Sequence, residues 1–132
     1  MWWEIAENPR LVLAYYSHPP KLRAVEVHSI RLNRDGPTLE LLVEMPSFPD
    51  KPSPRWPTNA NTAQAVLRFF DLREISLSGW GTTNVGELII ERIGGIVQFR
   101  FDGATAQLSG VAGFFDVTSV TGYVTDNTEP HG

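Results

Sequence analysis

From about Leu22 onward the chain alternates apolar and polar residues with a period of two, the spacing of strands that bury one face. Leu39, Leu41, Val43 and Met45 interleave with Glu40, Leu42 and Glu44. Upstream, Val25 and Val27 flank Glu26, but Ile30 and Leu32 continue out of phase, which places a β-bulge at His28-Ser29. Arg34-Asp35-Gly36-Pro37 between the two runs is turn chemistry, so residues 24–45 are predicted to form a bulged hairpin. If Arg34 faces Pro37, Arg31 faces Glu40 across the strands.

The second half continues the pattern. Ala63, Ala65, Leu67 and Phe69 alternate, and after a break near Asp71 so do Ile75 and Leu77. Leu88 and Ile90 share a face, and Gly94-Gly95 turns the chain into Val97, Phe99 and Phe101. Asp102-Gly103 is a strong hairpin signal leading to Ala104, Ala106 and Leu108, and a last apolar-aromatic run spans Phe114 to Val124. Taken as separate strands these runs number seven or eight, with short connections, which predicts an antiparallel β-sandwich or a strongly curved sheet. Before the hairpin the period is helical. Asn8-Pro9 is a helix start, Leu11 with Tyr15 and Val12 with Tyr16 make one apolar face, and Pro19-Pro20 forces a stop near Ser17. The expected fold class is therefore α+β, mainly β, with an N-terminal helix over one end of the sheet and Trp2-Trp3 in a short turn beside it.

Residues 46–61 break the alternation. Pro46, Pro49, Pro52, Pro54 and Pro57 remove five backbone donors, which excludes a central strand and leaves an extended loop carrying Phe48, Asp50, Lys51, Arg55 and Trp56. Tryptophan and arginine are the residues most enriched at interface hot spots. Trp56 reads equally well as an interface anchor and as a pin holding its own loop to the core. Gly79-Trp80-Gly81 reads as a tight strand exit whose indole folds back over the sheet edge.

Composition narrows the function classes. A chain of 132 residues, 42% hydrophobic and 20% charged, fits one globular domain, placed at residues 1–125 with a frayed tail at 126–132. There is no cysteine, which excludes disulfides and thiolate metal sites and suits a reducing cytoplasm. The Met1-Trp2-Trp3-Glu4 start lacks the basic and apolar regions of a signal peptide, and no segment approaches the roughly 20 apolar residues of a membrane span. Net charge is −4, and Lys21 with Arg23 is the nearest approach to a basic patch, so no nucleic-acid footprint is present. A mildly acidic surface favours a basic partner instead.

No catalytic constellation emerges. His18, His28 and His131 are dispersed without a ligand spacing, so neither metal nor other cofactor is expected. Ser29, Ser76, Ser78 and Ser109 lie in strand patterns outside any nucleophile elbow, and the glycine pairs lead into no helix that would cradle phosphate. Glu26, Glu40 and Glu44 read as an acidic stripe on the outer face of the hairpin.

Several pieces together resemble the Immunity protein 50 family of bacterial polymorphic toxin systems. They are the Trp-Trp-Glu start, Asn8-Pro9, the stretch Val27-His28-Ser29-Ile30-Arg31-Leu32-Asn33-Arg34-Asp35-Gly36-Pro37-Thr38, Pro46-Ser47-Phe48-Pro49 with Trp56, Asn61-Thr62-Ala63-Gln64 and Gly79-Trp80-Gly81-Thr82. The resemblance implies a cytoplasmic, non-enzymatic protein that neutralises a cognate toxin by stoichiometric binding. It carries over no contact residues. From the residues themselves the expected toxin-binding positions are Phe48, Asp50, Arg55 and Trp56 with the hairpin acids Glu40 and Glu44. The alternative is a small β-sandwich or barrel that houses an apolar ligand among Phe69-Phe70, Phe99, Phe101 and Phe114-Phe115.

Overall fold

In a computed structural model, which describes residues 1–126, the chain forms one antiparallel sheet of six strands closed into a barrel. The strands are β1 (Val25–Asn33), β2 (Thr38–Glu44), β3 (Thr62–Ser78), β4 (Val85–Ile93), β5 (Ile96–Gly103) and β6 (Gln107–Tyr123). Their order around the barrel is β1-β2-β3-β6-β5-β4. Closure rests on two residue pairs between β1 and β4, Val25 with Gly86 and Glu26 with Val85. The Val27 amide extends it by donating to the Asn84 carbonyl at 2.8 Å.

The hairpin forms as its alternation dictates. Arg31 stands opposite Glu40, and the register slips between Val27 and Ser29, where the phase of the sequence changes. Seven or eight strands become six, and the sandwich becomes a barrel, because two expected breaks lie inside long strands, the first of them as a bulge. β3 runs unbroken for 17 residues through Asp71, which takes a positive φ of 54°, and its pairing with β6 slips between Leu72 and Glu74. The runs expected at 104–109 and 114–124 likewise fuse into the 17-residue β6. A bulge bends and twists a strand without ending it, so one strand serves both halves of a closed wall.

The expected N-terminal helix is reduced to a 3-10 turn, Trp2–Ile5, and one α-turn, Arg10–Leu13. Two turns of isolated helix are marginal in water, and here the short turn is held at its two ends by the rest of the chain. Ala6 bridges to Phe115, and the Lys51 amide donates to the Tyr15 carbonyl at 3.0 Å. No helix among the described residues is long and apolar enough to cross a membrane. The tail placed at 126–132 lies, beyond Asp126, outside the described residues.

Inward-facing residues fill the barrel. Phe69 is fully buried and stacks on Phe99 with ring centroids 4.1 Å apart and on Phe115 at 5.0 Å. Leu39, Leu41, Leu67, Val97, Phe101 and Leu108 pack around them. At Gly110 a side chain would clash with the Phe99 ring and the Glu74 carbonyl, so only glycine lets β6 approach this closely.

Candidate functional site

The proline-rich segment between β2 and β3 holds no strand, as its lost donors require, and it is stitched to the N-terminal segment. The Tyr16 hydroxyl donates to the Ser47 carbonyl at 2.6 Å, and the Lys51 ammonium donates to the Leu13 carbonyl at 2.6 Å. Asp50 accepts from the Ser17 amide at 2.9 Å and its hydroxyl at 2.6 Å. Those two bonds, the hydroxyl first, hold the exposed Asp50 carboxyl below the usual carboxylate range. Trp56 is half-buried, stacked on Tyr15 at 5.1 Å and edge-on to Phe48 at 6.0 Å. Its indole lies flat against Gly122, where any side chain would collide with it. The structure therefore brings Phe48 and Trp56 together as a pin, while Arg55 stays exposed with its guanidinium bonded to none of the described residues.

Glu40 and Glu44 share the outer face of β2 and are both engaged. Glu40, largely covered, lies between Arg68 of β3, whose Nε donates to it at 3.1 Å and whose Nη2 also bonds it, and Arg31 of β1 at 3.8 Å. Glu44 accepts from the Tyr123 hydroxyl at 3.1 Å and contacts His28 at 3.3 Å. Glu26 stands directly opposite Glu44, so the acidic stripe exists but carries its own counter-groups. The expectation that no ligand set assembles needs correction. Glu26, His28 and Glu44 bring one ligand atom each within 4.8 Å of one another, because strand pairing places Glu44 beside a residue pair two apart in sequence.

Two phenols report this packing. Burial pushes the Tyr16 hydroxyl well above its ordinary value, with the Asp50 charge adding to it. Burial, then the Glu44 charge, pushes Tyr123 from 10.0 up to about 12. Both keep their protons longer in the folded chain than in the unfolded one. Their contribution is therefore complete below pH 10 and is lost as pH rises through the folded values. Thermal melts should show stability falling between pH 10 and about 12, and falling less in Tyr123→Phe. Identical slopes in the two proteins would show that Tyr123 titrates as it does in water.

Trp80 is about half exposed and borders a surface groove with Ile30 and Leu32 of β1 and Leu77 of β3. The residue that holds this turn, missed in the sequence, is the buried Asn84. Its side chain accepts from the Gly81 amide at 2.9 Å and donates to the Gly81 carbonyl at 2.8 Å. A buried Asn between a threonine pair and a strand carries no distinguishing pattern.

The fold and these positions can be set against known proteins. The family model for Immunity protein 50 matches residues 8–123, from the N-terminal turn through the end of β6. The chain belongs to the Immunity protein 50 family. No curated protein and no solved structure matches it. The matched span of this Immunity protein 50 chain includes the bulged hairpin, the proline-rich loop, Gly79-Trp80-Gly81 and all six strands.

Proposed function

We propose that this chain is a cytoplasmic immunity protein of a bacterial polymorphic toxin system that neutralises its cognate toxin by stoichiometric binding. The family match over residues 8–123 carries the reading. It calls for no catalytic residue and no cofactor, only a rigid scaffold presenting a complementary surface. The closed barrel supplies the scaffold, and residues 1–125 would make up the whole immunity domain. The aromatic rings stacked on one another inside the barrel weigh against the alternative of an apolar ligand housed there.

Within this reading the proline-rich loop is one toxin-facing surface. Five prolines and the bonds from Asp50 and Lys51 restrict its backbone, which lowers the ordering cost of binding. Phe48 and Trp56 would set its shape, Arg55 would be its free reaching group, and Asp50, Glu40 and Glu44 would add acidic character. The toxin domain encoded beside this chain is the probe. Calorimetry should give one-to-one binding, and co-expression should protect cells from that toxin. Arg55→Ala should weaken binding by about tenfold with no change in the melt. A toxin that neither binds nor is neutralised would sink the reading. Unchanged affinity in Arg55→Ala would remove the loop's reaching group from it.

A further inference from the structure

Among the described residues four strand acids have no hydrogen bond or ion pair; Glu26 lies on the hairpin, and the other three share one face. Strand register places three rows on the outer side of β3, β6, β5 and β4. They read Glu74–Val111–Gln98–Glu91, then Ser76–Ser109–Arg100–Ile89, then Ser78–Gln107–Asp102–Glu87. These twelve positions carry four carboxylates and one cation, and that cation is spent, because the Arg100 Nε donates to Asp102 at 2.8 Å. Glu74, Glu87 and Glu91 are exposed, and among the described residues no hydrogen bond or ion pair engages them. Elsewhere Glu40 has two arginines, Asp71 has Arg73, and Glu44 has Tyr123 and His28.

The same face is concave. A surface cleft of about 310 Å³ is lined by Glu74, Glu91, Gln98 and Arg100, with half-buried Ile89 and Val111 among its walls. A mostly polar cleft with an acidic rim and apolar patches at Ile89 and Val111 suits lysine or arginine side chains, whose stems can lie on the patches while their heads meet carboxylates. Glu74 on β3 and Glu91 on β4 stand three strand spacings apart along the curved sheet, at most roughly 14 Å between backbones, and line one cleft. The fitting partner presents a cation to each.

We propose that this face is where a basic surface of the cognate toxin docks, with Glu74 and Glu91 as its paired anchors. The inference rests on the immunity reading but not on the proline-rich loop, whose aromatic and acidic groups are engaged inside the chain. Charge complementarity of this kind steers encounter and fixes register, and its effect fades with salt.

The experiment compares three proteins against the toxin domain encoded beside this chain, by surface binding across a salt series. They are wild type, Glu74→Lys/Glu91→Lys, and a control with the same charge change elsewhere, Glu7→Lys/Asp35→Lys. Both substituted pairs are exposed, and thermal melts check that each variant folds. The Glu74/Glu91 variant should bind about tenfold more weakly or worse, mostly through slower association, and lose most of the salt dependence. The control should stay within about twofold of wild type. Equal losses in both variants, or none in the Glu74/Glu91 variant, would overturn the inference while leaving the immunity reading intact. A wild-type chain that binds no toxin would instead remove the reading on which the inference rests.

Discussion

Phe69→Ala is expected to cost about 4 kcal/mol and to lower the melting temperature by roughly 10–15 °C. Phe69 is fully buried on the long strand β3 and stacks on Phe99 and Phe115, so its ring joins β3, β5 and β6 across the barrel interior. Truncation removes the burial of the ring and two aromatic contacts, each worth about 0.5–1.5 kcal/mol beyond area. It also leaves a cavity that a closed wall collapses into poorly. Phe69→Leu should recover more than half of the loss, since it restores most of the volume. A Phe69→Ala melt within 3 °C of wild type, on the order of 1 kcal/mol, would mean that the barrel interior is loosely packed.

Trp56→Ala is expected to cost about 3 kcal/mol, roughly 10 °C in melting temperature, and its effect on toxin binding should follow from that loss. The indole is flanked by Tyr15, Phe48 and Gly122, which ties together the N-terminal segment, the proline-rich loop and the end of β6. Removing it frees the loop's aromatic cluster while leaving the Asp50–Ser17 and Lys51–Leu13 bonds in place. The loop should therefore loosen rather than detach, visible as faster amide exchange at residues 46–61. Gly122→Ala pushes on the same contact from the other side and should reproduce the loosening. A Trp56→Ala protein that melts like wild type and binds toxin 30-fold more weakly, a difference of about 2 kcal/mol, would restore Trp56 as an interface anchor.

Local chemistry alone determined the hairpin. Its turn residues, its period of two and its phase slip at His28-Ser29 are all written within 22 consecutive residues, and the pairing of Arg31 with Glu40 follows by counting. The absence of a strand at 46–61 was equally legible, because a proline's missing donor is a local fact. The family resemblance was legible as well, since its motifs are short stretches of sequence, and the matched span runs from 8 to 123.

Tertiary structure decided the rest, for a common reason. The apolar runs on either side of Asp71 read as two strands, because a break in alternation looks the same whether the chain turns or merely bulges. Only a partner strand continuous across both halves makes it a bulge, and β6 is that partner. Helical periodicity at 10–16 was real but short: its amides bond back within the segment, and the chain on either side is held by other partners, Phe115 at Ala6 and Glu7 and the Lys51 amide at the Tyr15 carbonyl. Trp56 divided evenly in the sequence because exposure of a loop tryptophan depends on Tyr15, 41 positions earlier, and Gly122, 66 positions later. The acids show the same limit. Glu40 and Glu44 stood out as charges in an apolar strand, but strand neighbours compensate them, whereas Glu74 and Glu91 stand on strands whose register brings them no base. Charge is a property of the residue, and whether it remains free for a partner is a property of its cross-strand neighbours, which register alone assigns.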